Sequence, residues 1–145
     1  MKNPPRWFFV FVSLMIVWNL LGLFAVIADL RLTAADIAAL PPKQQALYAA
    51  RPIWSVYASV VAVVGGTAGC IALVLRRRWA NLLLIASLVG IVFQDLGLFL
   101  VASDSLSANP VALIMQSVVL LIAVMLIGLC RLADSNAWLR DSTSA

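Results

Sequence analysis

Residues 79–102, WANLLLIASLVGIVFQDLGLFLVA, form the stretch that decides the fold. Asp95 is its only charged side chain, and almost all of its other residues are apolar. About 20 such residues let an α-helix cross the hydrocarbon core of a bilayer, because each residue adds about 1.5 Å. The stretch therefore predicts a membrane-spanning helix. A carboxyl group inside hydrocarbon is costly, so Asp95 is expected to face another helix, a cavity or a ligand.

Three more apolar runs lie elsewhere in the chain, so the predicted spans are about 7–28, 53–75, 79–102 and 110–130. The 145 residues are 64% hydrophobic and 11% charged, whereas soluble domains are about half apolar and a quarter charged. The first run is longer than the apolar core of a signal peptide, about 7–15 residues, and is expected to stay in the protein. The composition predicts a single membrane domain over residues 1–145, an all-α four-helix bundle.

The lysines and arginines that flank the spans predict the orientation of the bundle. With a cytoplasmic N-terminus, seven of them lie inside: Lys2, Arg6, Arg76, Arg77, Arg78, Arg131 and Arg140. Three lie outside: Arg31, Lys43 and Arg51. Cytoplasmic loops carry the excess of positive charge, so both ends of the chain are predicted to be cytoplasmic. The tail 132–145 is then an inner segment, expected to form an interfacial turn and a frayed end.

The turn Arg76-Arg77-Arg78-Trp79 is the strongest single signal for this orientation. A tight basic loop is hard to translocate, and tryptophan favours the membrane interface. We interpret the turn as an anchor that fixes topology at the lipid surface. A binding site for an anionic lipid at the cytoplasmic face is the alternative interpretation.

The outer loop, residues 29–52, is the only sizeable segment between spans. Thr33 and Asp36 predict the capped start of a short helix through residue 40, which Pro41 ends. Pro42 suits the first turn of a second helix through about residue 50. We interpret this segment either as a lid over a site or as a connector on the membrane surface.

A polar cluster is predicted in the outer half of the membrane, beginning about 7–11 Å below the outer helix ends. The candidates for a ligand or proton site are Asn19, Tyr57, Gln94, Asp95 and Gln116. Asp95 is expected to be held by Tyr57, or by Arg51 reaching down from its helix end. Three interpretations stay open: hydrogen bonding between helices, a solute or proton site, and a contact surface for a partner protein.

Small residues recur at helical spacing along the second and third spans. They are Ser55, Ser59, Ala62, Gly66 and Gly69 in the second, and Ser87, Gly90 and Gly97 in the third. Such stripes let two helix backbones approach closely. We expect them to pack the spans of one chain together, and a dimer interface is the alternative.

Two seven-residue segments match each other, WNLLGLF at 18–24 and FQDLGLF at 93–99. Each is followed by an aspartate at the same spacing, Asp29 and Asp104. The match predicts two related helix hairpins, an arrangement known in transporters. A chance match between apolar segments is the alternative.

The chain contains no histidine, which excludes bis-His haem, His-ligated zinc and a histidine general base. Cys70 and Cys130 lie near the inner ends of spans and are expected to be buried free thiols rather than a redox pair. No catalytic residue, metal or cofactor is predicted, and an enzyme is not expected. The predicted partners are the lipid bilayer and a second copy of the chain, and no nucleic acid is expected.

Four motifs occur together in this chain: WNLLG at 18–22, L-P-x(4)-A-L-Y-x(3)-P-x-W at 40–54, GGxxGC at 65–70 and RRRWA at 76–80. Their combination resembles a mostly uncharacterised family of small four-span bacterial inner-membrane proteins, some of them labelled sugar transporters. The resemblance implies a multi-pass protein of the bacterial inner membrane, transporter-like for a small solute. It implies no site residue. A non-catalytic accessory protein, in which the polar cluster only links helices, is the alternative.

Overall fold

The molecule is built from α-helices, seen in a computed structural model that describes residues 3–107 and 110–139, with side chains outside 102–113. The helices are α1 (Arg6–Leu30), α2 (Ala34–Ala38), α3 (Pro42–Ala50), α4 (Ile53–Val74), α5 (Ala80–Ser107) and α6 (Pro110–Ser135). Helices α1, α4, α5 and α6 are long and apolar enough to cross a membrane, which confirms the prediction of four such helices. Lys2, Arg140 and the side chain of Asp104 lie outside the described residues.

Helices α4 and α5 form the central pair, and their backbones approach closely at small residues. A Cβ added at Gly90 would lie 2.7 Å from the carbonyl oxygen of Ala58 and 2.7 Å from the nitrogen of Ala62. The hydroxyl of Ser87 donates a 2.6 Å hydrogen bond to the carbonyl oxygen of Ala62 across the same contact. These contacts confirm that the small-residue stripes pack the helices of one chain together.

The other two long helices pack on opposite sides of this pair, α1 on α4 and α6 on α5. Within the described residues, no Cα atom of α1 comes within 8 Å of one in α6. Side chains bridge the two helices only near one end, where Phe8 lies with its ring centroid 5.5 Å from that of Trp138. The bundle is therefore closed at that end and splayed towards the other.

The closed end carries the arginine turn, and we call it the arginine end. Arg76 has a φ of 60° and donates a 2.7 Å hydrogen bond from Nε to the carbonyl oxygen of Trp138. Arg78 pairs with Asp134 at 2.9 Å. The segment after α6 is thus held against the bundle as far as Leu139, which is buried. The expectation of a frayed end is wrong for residues 132–139, because these contacts and the packing of Trp138 fix them.

The opposite end carries α2 and α3, and we call it the loop end. The predicted capping box is present: the backbone N–H of Thr33 donates to Asp36 at 2.8 Å, and that of Asp36 donates to Thr33 at 3.2 Å. Hydrogen bonds from the Thr33 side chain and backbone lower the pKa of Asp36. α2 ends at Ala38, slightly before the predicted end, and α3 begins at Pro42 as predicted.

Gly90→Ala is expected to destabilise the protein, because the new Cβ would meet backbone atoms of α4 that cannot move aside. Overpacking of this kind costs about 1–3 kcal/mol and is measured as a lower thermal midpoint of the purified protein. Gly128→Ala is the matched control, since a Cβ there meets no described atom within 4 Å. Equal midpoints for both variants would contradict the close approach of α4 and α5.

Candidate functional site

Two cavities lie between the helices, and they differ in chemical character. The larger, about 410 Å³, lies between α1, α4, α5 and α6 in the splayed part of the bundle, and we call it the groove. The smaller, about 260 Å³, lies beneath α3, and we call it the loop-end cavity. Gln94 is part of the wall of both. The candidate site is formed by these two volumes.

The loop-end cavity has a mainly polar wall. Its polar lining residues are Tyr48, Arg51, Ser55, Ser59, Gln94 and Gln116. Ser55 donates its hydroxyl hydrogen to the carbonyl oxygen of Pro52 at 2.9 Å, and Ser59 donates to that of Ser55 at 2.9 Å. A hydroxyl has one hydrogen, so towards a ligand both serines act as acceptors. The wall therefore favours a ligand that donates hydrogen bonds.

Asp29, at the end of α1, ties α3 to the bundle. Its carboxylate accepts a 2.6 Å hydrogen bond from the Tyr48 hydroxyl and forms a 2.8 Å ion pair with Arg51. Arg51 is the only charged side chain among the described residues that line the loop-end cavity. Because Asp29 offsets this charge, the cavity is close to neutral.

Asp95 acts on the loop-end cavity through Gln116. The side-chain nitrogen of Gln116 donates a hydrogen bond to the Asp95 carboxylate, which links α6 to α5. Asp95 itself lies beside the cavity, whereas Gln116 is part of its wall. The carboxylate therefore fixes the amide of Gln116 where a ligand would meet it, since hydrogen bonds to a charged acceptor are stronger than neutral ones.

The groove is mainly apolar. Asn19 donates hydrogen bonds to the carbonyl oxygen of Met15 at 2.8 Å and to the sulfur of Cys70 at 3.7 Å. Ser87, also in the groove wall, donates to α4. These polar groups are satisfied within the protein, so the groove offers a ligand mostly hydrocarbon.

The predicted cluster is brought together only in part. Gln94, Asp95 and Gln116 lie together at the loop-end cavity, while Asn19 lies apart from them in the groove. Tyr57 does not join them, because it is 68% exposed on the outside of the bundle. It lies two residues from both cavity-lining serines of α4, about 200° around the helix at 100° per residue.

The expected partner of Asp95 is also wrong. Arg51 pairs with Asp29 instead, and Tyr57 points away from the bundle. The expectation rested on depth in the membrane, which does not determine the side of the helix on which a residue lies. The cysteines behave as predicted: Cys70 and Cys130 are free and buried.

Several residues of the loop-end cavity were not predicted as site residues. Ser55 and Ser59 were assigned only to helix packing, although polar small residues serve both purposes. Tyr48 and Arg51 lie in and after α3, and Asp29 was noted only for its place in the repeat. The available signal was the polar and charged residues at both ends of the outer loop, which must meet when the loop folds back.

No family model, no curated protein and no solved structure matches this chain. The resemblance to small four-span bacterial membrane proteins therefore stays a prediction. The evidence for function rests on the geometry of the two cavities.

Tyr48 gives the loop end a pH dependence. Its hydrogen bond to Asp29 raises the pKa of the tyrosine above its ordinary value of 10.0. The folded protein then holds this proton more tightly than the unfolded chain, so the stabilisation is full below pH 10 and is lost as the pH rises above it. The thermal midpoint of wild type should exceed that of Tyr48→Phe at neutral pH.

The difference between these two midpoints should shrink between pH 10 and pH 11. Tyr57→Phe leaves the group of Asp29, Tyr48 and Arg51 intact and should keep the wild-type fall in that range. A constant difference between wild type and Tyr48→Phe across this range would contradict the role given to the Tyr48 hydrogen bond.

Proposed function

We propose that this is a multi-pass protein of the bacterial inner membrane that binds a small, uncharged, hydroxyl-rich solute in the loop-end cavity. The loop end faces outward and the arginine end faces the cytoplasm in this proposal, as the distribution of basic residues predicts. The protein is of transporter-like type. An intramembrane carboxylate beside a polar cavity supports it, since such groups commonly mark solute pathways.

The observation that carries the proposal is the hydrogen-bonding character of the cavity wall. Two serine oxygens are limited to accepting, and the amides of Gln94 and Gln116 can both donate and accept. A solute hydroxyl also donates and accepts, so it matches this wall. A carboxylate or phosphate, which only accepts, does not match it, and Asp29 already neutralises the single positive charge of Arg51.

Transport requires more than one chain in this proposal. The central pair α4 and α5 is packed too closely to enclose a pathway at Gly90, where a single Cβ does not fit. A pathway for a solute would then run along the surface of the bundle and be completed by a second copy. The proposed transporter is therefore a homo-oligomer.

The second candidate is an accessory membrane protein without a substrate. The observation that favours it is the hydrogen bond from Gln116 to Asp95, which joins α6 to α5 whether or not a ligand is present. Hydrogen bonds between membrane helices contribute about 0.6 kcal/mol on average, so this role alone explains a polar pair in the bundle.

Binding is tested by thermal unfolding of the detergent-purified protein across a panel of polyols, sugars and charged solutes. A solute that binds only the folded protein stabilises it by about 2.7 kcal/mol at 100 times its Kd. Asp95→Asn should fold but lose most of this stabilisation, because the weaker neutral hydrogen bond releases the Gln116 amide. Asp134→Asn, which removes a carboxylate at the arginine end, should respond as wild type does.

A double variant separates the two candidate functions. Gln116→Leu should lower the thermal midpoint, because the Asp95 carboxylate loses a donor, and Asp95→Leu/Gln116→Leu should recover most of that loss. The recovered double variant should not respond to the solute that stabilises wild type. A wild type that responds to no solute in the panel would contradict the binding proposal and favour the accessory role.

A further inference from the structure

The groove has the length of one half of a bilayer. It extends from Trp18 to Val26 along α1, about 12 Å, and from Met115 to Leu126 along α6, about 17 Å, at 1.5 Å per residue. Half of the hydrocarbon core measures about 15 Å. The groove therefore has the depth of the acyl region of a single leaflet, on the side of the loop end.

The groove opens sideways between α1 and α6. These helices are more than 8 Å apart at all described Cα atoms, while the aromatic contacts at the arginine end close the gap below. Within a membrane, this opening faces the acyl chains of the surrounding lipid. A volume of about 410 Å³ is in the range of pockets that hold small ligands, about 300–1,000 Å³.

The groove and the loop-end cavity meet at Gln94. A single molecule that fills both must be apolar along its length and polar at one end. We propose that the ligand of the loop-end cavity is the head group of a membrane amphiphile, an uncharged hydroxylated lipid with one acyl chain in the groove. This inference rests on the proposed function and names its substrate class.

The wall of the loop-end cavity determines which head group suits this amphiphile. Phosphate and carboxylate heads bring a negative charge, and the positive charge of Arg51 is already paired with Asp29 at 2.8 Å. The hydroxyls of Ser55 and Ser59 can only accept, so the head must supply hydrogens. A glycerol or sugar head meets both conditions, and a monoacylglycerol is the simplest lipid that carries one.

The groove offers a direct probe, because the indole of Trp18 is part of its wall. The full chain is placed in phosphatidylcholine nanodiscs with a small fraction of monoacylglycerol that is brominated in the middle of its acyl chain. Bromine quenches tryptophan fluorescence at contact. Brominated phosphatidylcholine and a brominated fatty acid with the same chain are added in parallel samples. The quenching that disappears in Trp18→Phe is the signal from the groove.

The expected result is half-maximal quenching of Trp18 at about a tenfold lower fraction of monoacylglycerol than of either comparison lipid, which corresponds to about 1.4 kcal/mol. Ala25→Phe adds bulk to the groove wall and should raise the half-quenching fraction about tenfold, the size of a steric misfit in an apolar pocket. Ala28→Phe is the matched control, because Ala28 lies one turn further along α1 and does not line the groove. Gln94→Leu should abolish the preference for monoacylglycerol while chain quenching remains.

Equal quenching by all three lipids would overturn the inference, since the groove would then be ordinary lipid-facing surface. Absence of quenching, together with a change of oligomer size in Ala25→Phe, would assign the groove to a second copy and also overturn it. In either case a polyol or sugar that stabilises the protein would leave the proposed function standing. If no solute stabilises the protein either, both proposals fall.

Discussion

The close approach of α4 to α5 is the constraint on which the rest of the structure depends. Gly90 leaves no space for a Cβ against the backbone of α4, and Ser87 bonds to the carbonyl oxygen of Ala62 at the same contact. Once this pair is formed, α1 and α6 can attach only to its two outer sides. They are therefore kept apart, and the groove exists because the central pair separates them.

The two ends of the bundle use opposite means to hold these outer helices. At the arginine end, Trp138 packs against Phe8, and Arg76 and Arg78 hold the segment after α6. At the loop end, the helices are linked by polar contacts instead, through Asp29 and through Asp95. Polar links tolerate an adjacent cavity because their groups can also bond to a ligand, whereas aromatic packing excludes one. The cavities accordingly lie towards the loop end.

The sequence predicted the fold in detail and the site in part, and the difference has a physical cause. Span length, the capping box at Thr33 and the glycine stripes are properties of local sequence, so they were predictable. The pairing of Asp29 with Tyr48 and Arg51 depends on how the outer loop folds back, which local sequence does not specify. The depth of Tyr57 was used without its helix face, and the residue lies on the outside.

The glycines of the central pair also bear on how this chain diverges over evolutionary time. At Gly90 every substitution adds a Cβ that collides with backbone, whereas residues on the outer faces meet only solvent or hydrocarbon and exchange freely among apolar types. Distant descendants of a common ancestor would then differ at most positions and still keep the spacing of small residues along two neighbouring helices. Kinship in such bundles is carried by intervals between residues, and comparison by overall identity does not detect it.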